Sequence, residues 1–91
     1  MFRWADGVDD GHVAEVARRL DELPAAIPEI RSYRHGVDAR VNDGNFEYVV
    51  VADFDSTDDY LVYRDHPGHA AFISDLIAGR IAERAAAQYH C

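Results

Sequence analysis

Apolar and polar positions alternate along this chain with two different periods, and the periods change in a definite order. "FEYVVVADF" (Phe46–Phe54) carries the clearest strand pattern. Phe46, Tyr48, Val50, Ala52 and Phe54 fall on one face, and Val49 and Val51 on the other. A sheet with one wet face would put polar residues at Val49 and Val51. In "DDGHVAEVARRLDEL" the period is helical. Val13, Val16, Ala17, Leu20 and Leu23 share one face, and Asp9 or Asp10 can accept from the free N–H groups of the first turn. Pro24 disfavours helical geometry at Leu23, so the helix is expected to stop about there. "MFRWA" reads as a short first strand ended by Gly7. "IRSYRHGVDAR" reads as a second strand, and Asp43-Gly44 supplies the turn that leads into the third.

"STDDYLVYRDH" opens a second helix, with Ser56 as its N-cap and an acidic first turn. Pro67 interrupts this helix and suits the first turn of the next. That third helix is expected to carry Phe72, Ile73, Leu76, Ile77 and Ile81. "AAAQYHC" could then form a last short strand. The order β-α-β-β-α-β predicts an α+β, ferredoxin-like subunit spanning residues 1–91 as one domain. Two helices on one side of a sheet cover only one of its faces. The apolar second face of the third strand therefore predicts a homodimer through the sheet.

Composition narrows the partners. The 91 residues are 48% hydrophobic and carry a formal charge of −8, a balance that disfavours nucleic acid and anionic membranes. The acidic residues are scattered, as on a solvated surface. Cys91 is the one cysteine, so no internal disulfide and no cysteine metal site can form. No apolar run is long enough to span a bilayer and no signal-peptide layout is present, so the cytoplasm is the expected compartment.

Candidate chemistry is concentrated in "YLVYRDHPGHAAF" (Tyr60–Phe72). His69 lies three before Phe72, four before Ile73 and seven before Leu76, which puts it on the apolar stripe of the third helix. Tyr60 and Tyr63 can share the inner face of the helix before it, and the break at Pro67 could aim Tyr63 and His69 at one cavity. Three readings remain open on spacing alone. A buried His and Tyr often only satisfy hydrogen bonds, and His66 before Pro67 could serve only as a cap. His-x-x-His offers two metal ligands but fixes no third, so no metal is expected. The pair could instead act on a substrate. His12, His35 and His90 read as surface or terminal residues. A nucleophile elbow, a phosphate-binding glycine loop and a dinucleotide fingerprint are all absent.

With "AIPEIRSYRHGVD" and "FEYVVVADFDSTDDYLVYRDHPGHAAF" in view, the chain resembles the Dabb family, the stress-responsive dimeric α/β-barrel domain. Tyr-x-x-His-Pro-x-His is the specific element. Ile-Pro before a Gly-containing strand, and the Phe ending the third strand, support it. The resemblance implies a ferredoxin-like subunit that forms a dimeric α+β barrel. It also implies a function among cofactor-free cyclases, which close aromatic rings by aldol chemistry, lyases, and stress-response proteins without assigned catalysis. By the same resemblance His69 and Tyr63 would face a cavity as the catalytic pair, with His66 behind them. Phe2, Leu20, Tyr48, Val50 and Phe72 would line the space for a small hydrophobic carbonyl compound. Family members usually have a longer first strand, often with a further His, whereas this chain starts at Met1 partway along it. The alternative expectation is a non-catalytic stress-response protein or a binder of a hydrophobic metabolite.

Overall fold

A computed structural model describes residues 1–90. Strand β1 (Phe2–Trp4) leads to helix α1 (Asp10–Ala26), then to β2 (Ser32–Val37) and β3 (Tyr48–Asp53). Helix α2 (Thr57–Asp65) is followed by α3 (Pro67–Phe72), which widens into a π-helical turn over Ile73–Ile77, and the last strand is β4 (Ile81–Arg84). The strands form one antiparallel sheet in the order β2-β3-β1-β4. This is the ferredoxin-like α+β arrangement, with the two segments between β1 and β2 and between β3 and β4 packed on the sheet.

Each helix starts where its capping residue predicts. Asp9 accepts from the His12 N–H at 2.8 Å, and Ser56 accepts from the Asp59 N–H at 3.1 Å. Pro24 does not end α1. The helix runs on to Ala26 with the proline inside it, and the Ile27 N–H still bonds to the Leu23 carbonyl at 2.9 Å. Pro24 forfeits a bond to the Leu20 carbonyl, but the extra turn brings Ile27 to complete burial beside Leu23. Burying a side chain of that size contributes about 1.5–3 kcal/mol, enough to outweigh a local preference at Leu23.

The third helix also departs from its expected course. It does not reach Ile81, which belongs to β4. After Phe72 the Ala78 N–H bonds to the Ile73 carbonyl at 2.8 Å, five residues back, and the wider turn changes the phase of the stripe. Phe72 and Ile77 are buried, but Ile73 is 38% exposed. The freed carbonyls find side chains: His12 Nε2–H donates to the Leu76 carbonyl at 2.8 Å, and Arg80 donates to the Asp75 carbonyl at 2.6 Å. His12 is thus a half-buried helix cap and not a free surface residue. The closing strand comes earlier than "AAAQYHC". Residues 85–90 form no strand, and Cys91 lies outside the described residues.

Val16, Leu20, Leu23, Ile27, Tyr48, Phe72 and Ile77 make up the buried core. Phe2 and Trp4 pack against it, and Phe2 stacks on Tyr48 at 5.6 Å between ring centroids. Phe46 does not join Tyr48 on this face. β3 begins only at Tyr48, and the Phe46 ring lies under the Arg3 guanidinium at 4.5 Å, outside the core. Val49 and Val51 point to the other side of β3 and are 36% and 41% exposed, flanked by the Arg34–Asp53 ion pair.

Candidate functional site

The break between α2 and α3 fixes the candidate residues. His66 has extended backbone and caps α3: its Nδ1 accepts from the Gly68 N–H at 2.9 Å. A Cβ at Gly68 would stand 3.1 Å from that nitrogen, so the close cap favours glycine there. Pro67 takes the first helical position, where a missing N–H costs nothing. The turn that follows brings the His69 ring against the Tyr63 ring, with centroids 4.4 Å apart.

His69 Nδ1 lies 3.1 Å from the Arg64 carbonyl. A carbonyl only accepts, so Nδ1 carries the proton and donates. In the neutral ring Nε2 then holds a lone pair, and it has no hydrogen-bond partner among the described residues. Tyr63 does not bond to His69. Its hydroxyl meets the Tyr33 hydroxyl at 2.8 Å, and its ring also touches Phe54 and Tyr60. Burial pushes the Tyr33 and Tyr63 phenols above their ordinary value, so both are protonated O–H groups at neutral pH.

A second polar cluster lies nearby on the same face of the sheet. His35 places Nδ1 at 2.7 Å from the Tyr48 hydroxyl and Nε2 at 2.6 Å from an Asp21 carboxylate oxygen. Its side chain is 10% exposed. His35 therefore ties α1 to β2 and β3 and is not a surface residue. Burial, and next the Asp21 carboxylate, raise the Tyr48 phenol. Tyr33 and His35 are two apart on β2, and that spacing alone puts them on one face.

The residues expected to line a ligand space are close-packed in the single subunit. Leu20, Tyr48 and Phe72 are each at most 3% exposed, and Phe2 and Val50 pack against them. Two open depressions lie away from His69. One of about 360 Å³ is bordered by Met1, Phe46, Tyr48 and Val49, and the other, of about 470 Å³, by the loop from Ala5 to Asp9 with His12 and Arg80. Among the described residues no three His, Cys, Asp or Glu side chains gather to hold a metal ion. No described helix is long and apolar enough to cross a membrane.

Solved structures with this architecture come from several bacteria and a plant. A dimeric ferredoxin-like protein of unknown function from Thermobifida fusca is 42% identical with a TM-score of 0.91, over 100% of this chain and 85% of that one. A dimeric protein of unknown function from Bacteroides fragilis is 28% identical with a TM-score of 0.73, over 92% of this chain and 84% of that one. A Dabb family protein from Mesorhizobium loti shares the fold at 16% identity, with a TM-score of 0.73 over 90% of this chain and 81% of its own. No curated protein matches the chain. The family described as the stress responsive A/B barrel domain matches residues 1–91, and the chain belongs to that family, Dabb.

Proposed function

We propose that this protein is a cofactor-free enzyme acting on a small hydrophobic carbonyl compound, with His69 as general base and Tyr63 as hydrogen-bond donor to the carbonyl oxygen. The observation that carries this reading is the Nδ1–H bond from His69 to the Arg64 carbonyl, which leaves Nε2 as a lone pair. Imidazole titrates near neutral pH and serves well as a base there. Nε2 would take a proton from the carbon next to the carbonyl. The Tyr63 O–H would donate to the oxygen as negative charge develops on it, and the Arg64 carbonyl would stabilise the imidazolium. The enolate could then attack a second carbonyl in a ring closure or expel a leaving group, and the imidazolium would return its proton. His66 serves by capping α3 and so fixing where His69 stands.

Deuterium exchange tests this chemistry without a known product. Acetylacetone and longer 1,3-diketones in D₂O should lose their C–H signal faster with the protein than with an equal concentration of free imidazole. Exchange at the imidazole rate for every compound would remove the catalytic reading. One observation favours the second reading in its non-binding form, a stress-response protein without catalysis: Leu20, Tyr48 and Phe72 already fill the space a ligand would need.

The protein is further proposed to act as a homodimer through the outer face of its sheet, as the Thermobifida fusca and Bacteroides fragilis proteins are described to be dimeric. Val49 and Val51 support this, being apolar and exposed on the sheet face that the helices leave uncovered. Val51→Lys would bury an unpaired ammonium at that contact. It should weaken association by roughly 3 kcal/mol or more, about 100-fold in Kd. Light scattering at micromolar concentration should read a dimer for the wild type and a monomer for the variant, and a monomeric wild type would remove the proposal.

A further inference from the structure

Beyond the Tyr63–His69 pair lies a second tyrosine whose hydroxyl has one partner only. Tyr33 sits on β2, which is held to β3 by six consecutive residue pairs, and its hydroxyl is 2.8 Å from that of Tyr63. Tyr63 sits on α2, a helix with no fully buried side chain. The sheet residue is therefore the fixed end of this bond and the helix residue the adjustable one. Two hydroxyls bring two protons, and one bond between them uses only one. Neither oxygen has another hydrogen-bond partner among the described residues.

We infer that Tyr33 is a positioning residue: its O–H donates to the Tyr63 oxygen, fixes that hydroxyl, and leaves the Tyr63 proton free for a ligand oxygen. The reverse arrangement would point the Tyr63 proton into the sheet and leave nothing to donate beside His69. A hydroxyl that already accepts one bond also becomes a stronger donor. The site would then offer one free O–H and, at His69 Nε2, one free lone pair. That combination suits a carbonyl compound about to become an enolate, and the inference rests on the reading of the His69 site given above.

The test uses 4-nitrophenolate as an oxyanion probe and 4-nitroanisole as its neutral counterpart of similar shape. The ratio of their affinities cancels shape and general apolar burial, so a purely structural role for Tyr33 would not move it. Wild type should prefer the phenolate, and Tyr63→Phe should abolish the preference. Tyr33→Phe, which deletes one hydroxyl, should cut it about tenfold, the size of one hydrogen bond. A preference unchanged in Tyr33→Phe but lost in Tyr63→Phe would overturn the role of Tyr33 alone. A preference equal in wild type and Tyr63→Phe would overturn the site and the inference together.

Discussion

His69→Ala is expected to slow carbon-acid exchange by ~10²–10⁴-fold, the usual contribution of a positioned general base. The variant removes the unpartnered ring nitrogen that would take the proton. It also deletes the donor to the Arg64 carbonyl, so a modest loss of stability, about 1 kcal/mol, should accompany it. His69→Asn separates the two effects. An amide N–H can take over the donation to Arg64, but an amide is no base at neutral pH. Exchange should therefore be lost in both variants, with the melting temperature lowered mainly in His69→Ala. Exchange retained in both while the alanine variant melts early would assign His69 a structural role only.

Leu20→Ala is expected to destabilise the fold by about 2–5 kcal/mol, the range for deleting a fully buried leucine. In a domain of this size that corresponds to a fall of roughly 10–30 °C in Tm. Leu20 is 1% exposed and belongs to the same buried cluster as Val16, Leu23, Tyr48 and Phe72. Small domains hold only about 5–15 kcal/mol in total, so the variant should lose a large share of its stability and melt well below the wild type. Val62→Ala serves as the control, since that side chain is 45% exposed and its loss should shift stability by less than about 0.5 kcal/mol. Calorimetry decides between packing and cavity lining at Leu20. A drop of only a few degrees would mean that Leu20 borders empty space and that the ligand-lining role expected from the family holds there.

Much of the fold was legible because local signals agreed with one another. The apolar stripe of α1, the Ser56 cap and the Pro67 break each placed an element where it stands. Pro24 misled because a local backbone preference gave way to the burial of Ile27, a tertiary effect. The run from His69 to Ile81 misled for a related reason. A π-helical turn leaves the spacing of apolar residues looking helical, and what closes it is His12 and Arg80, reached only in the folded chain.

The candidate site divides in the same way. Tyr63, His66 and His69 stand within one motif, so their proximity could be read directly. Tyr33 is 30 residues from Tyr63, and His35 is 13 and 14 residues from its partners Tyr48 and Asp21. The alternation on β2 could have put Tyr33 and His35 on the inner face. Their partners could not have been named from it, because pairing across layers depends on how α1 and α2 settle on the sheet.

If His69 offers a free Nε2, the nitrogen spectrum of its own ring should show it. Long-range ¹H–¹⁵N correlation on ¹⁵N-labelled protein, with His69 assigned by comparison with His69→Asn, distinguishes the two neutral tautomers. The Nδ1-protonated form is expected, with the Nε2 resonance shifted when 4-nitrophenol is added. A neutral His69 protonated on Nε2 would contradict it, because the lone pair would then face the Arg64 carbonyl and no base would face a ligand.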